Sequence, residues 1–303
     1  MKVNRVILVG ILVCAFAVSI QAQYTQQIAG GTVDWSTQVV RATGIGAPNP
    51  NMPLQAQRAG AVRAAKLNAL RNLLEVVKGI NLTSETTVEN SMVTNDVIVT
   101  RIEGVIRNFT QVGEPRYFST GDVEVVIEVP LTGDLSNVLL PGQMGVSSYG
   151  AVGGQALCPT CGQPWPTGRP VPAGVTLQTS PSTAGYQGSG GVFTGLIIDA
   201  KGLGLRPAMA PKIVDEDGNE IYGSKYVSRD WAVKIGMVGY DKDVNRARTN
   251  DRVTNNPLIV RGLRTSGPNN ADVVVSMADA GRIKSAGSSM NFLDKCKVMF
   301  IVD

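Results

Sequence analysis

The pair of cysteines in Cys158-Pro-Thr-Cys161 is the first feature of this sequence that could do chemistry. Two thiols at this spacing can help bind zinc, exchange electrons or close a disulfide. A zinc site would need a second pair of ligands, and Cys296 is the only other cysteine beyond the amino-terminal stretch. A redox pair would need its first thiol at a helix start, which the neighbouring prolines and glycines prevent. We therefore expect a local disulfide between Cys158 and Cys161, with metal binding and redox activity as alternatives.

Carboxylates are the second group of residues that could do chemistry. An exported hydrolase would need two of them facing each other across a cleft, and the candidates are Asp199, Asp215, Glu216 and Asp217. Residues 215–220 also invite a calcium interpretation, but Gly218 stands two positions too early for an EF-hand loop. The sequence favours a hairpin turn there.

Histidine is absent from the 303 residues. Its absence excludes Ser-His-Asp and Cys-His nucleophile systems, histidine-ligated zinc or iron, and the haem attachment motif, in which a histidine follows Cys-x-x-Cys. Lys and Arg number 28 and Asp and Glu number 24, a formal net charge of +4 that is too small to indicate nucleic-acid binding. We expect no catalytic residue, no cofactor, no metal and no nucleic-acid partner.

The amino terminus is typical of a secretory signal peptide. Two basic residues precede an uncharged apolar run over residues 6–20, and Ala22 is suited to cleavage. A membrane anchor is one alternative, although a spanning helix needs about 20 apolar residues. A lipoprotein signal is the other, but Val13 is a poor match for the small residue that should precede Cys14. We expect residues 1–22 to be removed and the protein to reach the periplasm, where oxidising conditions favour a disulfide.

A strand and a long helix open the first domain, which we place over residues 32–140. Residues 32–44 alternate apolar and polar side chains and predict a strand that ends at the glycines 44 and 46. Residues 54–78 are rich in Ala, Leu, Arg and Lys, with apolar residues at spacings of three and four. This pattern predicts an amphipathic helix that covers one face of a sheet and ends at Gly79.

The other face of this helix carries four basic residues: Arg58, Arg63, Lys66 and Arg71. The first interpretation is an ordinary solvated helix surface. The alternative is a patch for an anionic partner such as lipid headgroups or glycan.

An antiparallel pair of strands completes the first domain. Residues 97–106 fit a helix or a strand equally well by periodicity. Residues 111–118 and 122–130 predict two strands joined by a hairpin turn. The expected fold of the first domain is therefore α+β, with the long helix packed on an antiparallel sheet.

Three segments carry a resemblance to a known family: "VVRATGIG", "AQRAGAVRAAKLNALRNLLEVVKGI" and "VTRIEGVIRNFTQVGEPRYFSTGDVEVVIEVPLTG". In this order they resemble the twenty-kilodalton bacterial outer-membrane lipoprotein family, and they are similar to the N-terminal domain of flagellar assembly protein T. The resemblance covers residues 32–140. It implies a non-enzymatic subunit at the periplasmic face of the outer membrane, of a kind that in some cases builds rings around the flagellar rod. The chain departs from the lipoprotein members because it lacks a convincing cysteine for lipidation.

Residues 141–190 differ from the rest of the chain because they are rich in Gly and Pro and carry Arg169 as their only charge. This composition predicts a flexible linker that contains the cysteine pair. Residues 191–303 then form a second α/β or α+β domain. Its expected strands are 191–200, a hairpin within 211–222, 257–263, 271–276 and a terminal strand 297–302 that completes the second sheet, and its expected helices are 231–248 and 278–292.

The sequence as a whole predicts two small mixed domains of the α+β class joined by the linker. We expect a non-enzymatic periplasmic or outer-membrane-associated protein with a structural or assembly role, in the envelope or in the flagellar basal body. Its expected partners are other envelope or flagellar proteins, or further copies of itself, with peripheral contact to the outer membrane or peptidoglycan. A glycan- or peptidoglycan-binding module and an exported carboxylate-dependent hydrolase are the alternative functions.

Overall fold

The structure, a computed structural model, describes residues 23–145 and 193–303, together with the dipeptide strands 156–157 and 178–179. The predicted signal peptide, the cysteines Cys158 and Cys161 and most of the predicted linker lie outside the described residues. The fold is α+β, as predicted, with a helix packed on an antiparallel sheet in the first half and a sheet-rich second half.

The helices of the described chain are α1 (Leu54–Lys78), α2 (Val88–Val93), α3 (Asp96–Ile106), α4 (Asp134–Leu139), α5 (Arg229–Ile235), α6 (Val244–Arg248) and α7 (Met277–Met290). The strands of the first half are β1 (Thr25–Ile28), β2 (Gly31–Asp34), β3 (Val39–Gly46), β4 (Thr110–Tyr117) and β5 (Val123–Pro130). The dipeptide strands are β6 (Ala156–Leu157) and β7 (Gln178–Thr179). The strands of the second half are β8 (Gly195–Asp199), β9 (Ile213–Val214), β10 (Glu220–Tyr222), β11 (Gly239–Asp241), β12 (Pro257–Arg261), β13 (Arg264–Ser266), β14 (Asp272–Val274) and β15 (Val298–Ile301).

The first half is built on a five-stranded antiparallel sheet in the order β1-β2-β3-β5-β4. The single strand predicted over residues 32–44 is wrong, because a tight turn divides it into β2 and β3. Asp34 holds this turn, since its Oδ1 accepts hydrogen bonds from the backbone N–H groups of Ser36 and Thr37. Gln38 completes the reversal with a φ of 56°. The alternating pattern continued across the turn and concealed it.

Helix α1 has the predicted bounds and packs directly on β3 and β5. Its buried stripe contains Ala61, Ala65, Ala69, Leu73 and Val76. Of the two glycines predicted to end the strand, Gly44 lies within β3 and Gly46 is its last residue, and both are on the face that α1 covers. They are the residues that allow the helix backbone to approach the sheet closely, because a side chain at either position would collide with it.

Residues 97–106, whose periodicity fits a helix and a strand equally well, form most of helix α3. Asn95 decides the outcome locally, because its side chain accepts a hydrogen bond from the N–H of Val97 and so caps the helix. Ile102 and Ile106 lie one turn apart on the buried side. The predicted antiparallel pair is confirmed as β4 and β5, with a register irregularity between Val112 and Arg116.

The second half contains two four-stranded sheets among its described strands. One is the parallel sheet β11-β15-β8-β12, and the other is the mixed sheet β10-β9-β14-β13. The terminal strand β15 therefore lies inside the parallel sheet, between β11 and β8. Both β8 and β15 are buried almost throughout, as expected for parallel strands covered on both faces.

The largely helical segment predicted over residues 231–248 is wrong in its middle. Gly236 caps the carboxyl end of helix α5 with a φ of 78°, a backbone conformation that residues other than glycine rarely adopt. The chain then enters the buried strand β11 and returns to a helix at α6. Pairing with β15 provides the backbone partners that make β11 a strand, and this long-range contact has no local signal.

The hairpin predicted at residues 215–220 is confirmed. The Oδ1 of Asp215 accepts hydrogen bonds from the backbone N–H groups of Asp217 and Asn219, and its Oδ2 accepts one from the Asn219 side chain. Gly218 takes a φ of 84° in the turn. Burial alone would raise the pKa of Asp215, but these hydrogen bonds outweigh it and the pKa is lowered.

One large hydrophobic core runs through both halves of the described chain, and a smaller cluster lies within the second half. Trp35 of the first half meets Tyr240 of the second edge to face, with ring centroids 5.4 Å apart. The Ser84 hydroxyl donates to Oδ2 of Asp272 at 2.5 Å, and both side chains are buried. The backbone N–H of Ala210 donates to the carbonyl of Leu82. The two halves are therefore joined by packing and by buried hydrogen bonds.

Candidate binding cleft between the two halves

A cavity of about 570 Å³ opens where the two halves meet, and we call it the interdomain cleft. Its wall from the first half is formed by Ser36, Thr37, Gln38 and Thr132. Its wall from the second half is formed by Trp231, Lys234, Ile235, Gly239, Tyr240, Asn250, Asp251, Arg252, Lys295, Lys297 and Met299. Volume and location are typical of ligand sites, which favour the boundaries between domains.

The turn between β2 and β3 positions the first wall. Gln38 extends across the boundary, and its Nε2 donates to the carbonyl of Val238 at 2.9 Å. The Oγ of Ser36 accepts a hydrogen bond from the N–H of Tyr24, which holds the turn against the start of β1. The same turn that the strand pattern concealed therefore supplies the polar side chains of the cleft.

Arg252 organises the second wall. Its Nη1 donates to the carbonyls of Gly236 and Cys296 at 3.0 and 2.9 Å, and its Nη2 donates to the carbonyl of Ile235. Two of these carbonyls belong to the end of α5, where unpaired carbonyls and the helix dipole both favour a cation. Arg252 thus ties α5 to the segment around Cys296.

Two lysine-bearing segments are brought together by this arrangement. Helix α5 contributes Trp231 and Lys234, and the Nζ of Lys234 lies 5.4 Å from the centre of the Trp231 ring. The segment before β15 contributes Lys295 and Lys297 on either side of the buried Cys296. An aromatic ring and three ammonium groups therefore line one side of the cleft.

The cleft is electrostatically positive. Lys234, Arg252, Lys295 and Lys297 line it against one carboxylate, Asp251. Within residues 23–145 and 193–303, none of these four cations forms an ion pair with a carboxylate. Burial lowers the pKa of the Arg252 guanidinium, so its charge is held there at an energetic cost. An anion in the cleft would reduce that cost.

The four basic residues predicted as an anionic-partner patch lie on α1, away from the cleft. Arg58 stacks over the ring of Tyr117, 3.9 Å from its centre. Arg63 and Arg71 are exposed and flank Leu67, which is 60% exposed, along one stripe of the helix. Lys66 is half-buried at the side of this stripe. Their role as a binding patch stays a prediction.

Cys296 is a free, buried thiol in the described structure. Burial raises its pKa to about 12, although a hydrogen bond with Tyr222 and the charge of Arg252 lower it in part. The thiol is thus a structural side chain with little thiolate at neutral pH. The predicted disulfide between Cys158 and Cys161 falls outside the described residues and stays a prediction.

The four carboxylates considered for hydrolysis lie apart from the cleft, and three of them have structural partners. The Oε2 of Glu216 accepts a hydrogen bond from the backbone N–H of Met277 at the start of α7. Asp199, at the end of β8, is 2.6 Å from Nη1 of Arg261. Asp215 holds the hairpin turn between β9 and β10, in the other sheet. None of the four lines the interdomain cleft. Among the described residues, no group of three or more Cys, Asp or Glu side chains has an arrangement that could hold a metal ion.

The cleft residues were missed by reasoning from the sequence. Trp231 and Lys234 stand one helical turn apart, and Lys295 and Lys297 are separated by one residue, but each pattern is common on protein surfaces. The two pairs lie about sixty positions apart in the chain. Their meeting depends on Arg252 and on the pairing of β11 with β15, and neither leaves a local signal.

Two families match separate parts of the chain. Residues 21–130 match the LPP20 lipoprotein family. Residues 195–303 match the family described as Treponema pallidum Tp0624, second domain. The first match supports the predicted resemblance to a lipoprotein family, whereas the similarity to flagellar assembly protein T is not shown by either match and stays a prediction. No curated protein matches the chain. The described helices include none with the length and apolar character needed to cross a membrane.

Proposed function

We propose that this chain is a non-enzymatic exported protein of the cell envelope, located on the periplasmic side and associated with the outer membrane, where it has a structural or assembly role. The observation that carries the proposal is the similarity of residues 21–130 to a lipoprotein family. The signal-like sequence of residues 1–22 supports export. A place in the flagellar basal body is a narrower form of the same proposal.

The shared core supports a structural role. A continuous core and buried interdomain hydrogen bonds resist relative motion of the two halves, so the chain can act as one stiff body. A stiff body can hold binding partners at fixed positions without a catalytic centre.

The sheet face opposite α1 is the surface that we propose for partners, and we call it the outer sheet face. It contains Ile45, which is 56% exposed, with Thr43, Val112 and Val126 nearby on β3, β4 and β5. The cross-strand ion pairs Arg41–Glu128 and Arg116–Glu124 border it. A mixed apolar and charged surface of this kind suits another envelope protein or a second copy of the chain.

Site-specific crosslinking in cells tests this proposal. A photo-reactive residue at Ile45 should give adducts with envelope proteins or with the chain itself in the periplasmic and outer-membrane fractions. A matched probe at Leu263, which is 48% exposed in the second half, should give far fewer. Recovery of the protein in the cytoplasm, or equal adducts from both probes, would contradict the proposal. Normal motility and normal flagellar rings after gene deletion would refute the flagellar form alone.

A further inference from the structure

We propose that the interdomain cleft binds an acidic saccharide, that is, sugar rings that carry carboxylate or phosphate groups. This inference goes beyond the structural role, because the cleft lies away from the outer sheet face and from the basic stripe of α1. It concerns residues to which neither family match assigns a role. The charge, the shape and the polar groups of the cleft support such a ligand.

Charge selects an anionic ligand. Lys234, Lys295 and Lys297 line the cleft without a carboxylate partner among the described residues, and the single acidic residue of the lining is Asp251. Arg252 adds a fourth positive charge at the base, where its guanidinium is already committed to backbone carbonyls. Arg252 therefore sets the local potential and positions the wall, while the lysines are free to contact the ligand.

The remaining groups select a sugar. Trp231 offers a partly buried ring beside Lys234, and aromatic faces of this kind pack against the apolar faces of sugar rings. Ser36, Thr37 and Thr132 are hydroxyl-bearing residues of the wall from the first half, and hydroxyl groups can both donate to and accept from sugar hydroxyls. A volume of about 570 Å³ has room for a ligand of one or two rings.

The expected location also favours a saccharide over a nucleotide. The signal-like amino terminus directs the chain out of the cytoplasm, where nucleotides are made and held. Sugars bearing carboxylates or phosphates are components of the bacterial envelope, so the ligand and the cleft would share a compartment. Carboxylate and phosphate groups would be recognised by the same lysines, so the test uses a separate probe for each.

Calorimetric titration of the full exported chain with three disaccharides tests the inference. The probes are a neutral N-acetylglucosamine disaccharide, the same disaccharide bearing a lactyl carboxylate, and one bearing a phosphate. We expect at least one charged probe to bind, the neutral probe to bind at least about tenfold more weakly because charge-assisted hydrogen bonds are lost, and added salt to weaken binding. Quenching of tryptophan fluorescence gives an independent readout.

A pair of charge-matched variants locates the site. The double variant Lys295→Glu, Lys297→Glu should weaken binding by at least about tenfold. The control Arg101→Glu, Arg107→Glu replaces two exposed residues in and directly after α3, outside the cleft lining, alters the net charge equally and should bind as the wild type does. Lys234→Gln provides a second cleft variant should the first double variant fail to fold. Equal loss in the control, an unaffected cleft variant, equal binding of the neutral probe, or no binding of either charged probe would each overturn the inference without affecting the crosslinking result.

Discussion

Replacing Gly44 by alanine tests whether the backbone of α1 packs directly against the glycines of β3. A Cβ atom at residue 44 would stand 2.2 Å from the carbonyl oxygen of Ala65 and 2.2 Å from the backbone nitrogen of Ala69. Both atoms belong to the backbone of the same helix, so no side-chain rotation can relieve the contact. The helix would have to move away from the sheet.

The size of the effect follows from that displacement. Non-bonded heavy atoms pack at about 3.5–4.0 Å, so α1 must retreat by about 1 Å or more. Gaps would then open beneath Leu73 and Val76, which are fully buried, and such gaps forfeit about a quarter to a half of each contact energy. Overpacking of a core ordinarily costs about 1–3 kcal/mol. Because the strain falls on backbone, we expect a loss of about 3 kcal/mol from a total free energy of unfolding of about 5–15 kcal/mol.

Urea unfolding followed by far-ultraviolet circular dichroism measures this loss. The expected result is a lower midpoint with an unchanged dependence on urea concentration. Gly104→Ala in the exposed part of α3 is the matched control, because a Cβ there meets nothing within 4 Å. That control should stabilise the chain by about 0.5–1 kcal/mol through helix propensity. A Gly44→Ala variant within about 0.5 kcal/mol of the wild type would show that the helix does not rest on the glycine backbone.

Three further predictions concern the core and the buried groups. Trp35→Ala should destabilise the chain by about 3–5 kcal/mol in the same urea assay. The wild type should unfold in one transition because both halves share a core. Two separate transitions would contradict the shared core. Cys296 should resist iodoacetamide at neutral pH until the chain unfolds, as followed by mass spectrometry, because burial raises its pKa to about 12; rapid labelling of the folded chain would contradict its burial. Burial raises the pKa of Asp272, and hydrogen bonds from Ser84 and Lys212 offset part of this rise. The protonated side chain therefore contributes stability that is complete below its unfolded pKa of about 3.9 and is lost as pH rises through the folded pKa. Asp272→Asn should therefore flatten the decline of unfolding free energy with rising pH just above that value, and an unchanged slope would refute the assignment.

The first half was largely predictable from its sequence because its information is local. The bounds of α1 follow from composition and periodicity, and the hairpin between β4 and β5 from turn residues. The failures occurred where a side chain or a distant strand overrode the pattern. Asp34 turned the chain in the middle of an alternating segment, and pairing with β15 imposed a strand on a segment that reads as helix.

The same distinction explains why the cleft could not be predicted while the basic face of α1 could. Periodicity places Arg63 and Arg71 on one side of a helix whatever the rest of the chain does. The cleft instead needs the turn at residues 35–38, the end of α5 and the residues on either side of Cys296 to meet at one point. Arg252 achieves this with three hydrogen bonds to carbonyls, which any residue type could supply. Long-range organisation through backbone atoms leaves no trace in the residue types, so such a site becomes visible only in the folded chain.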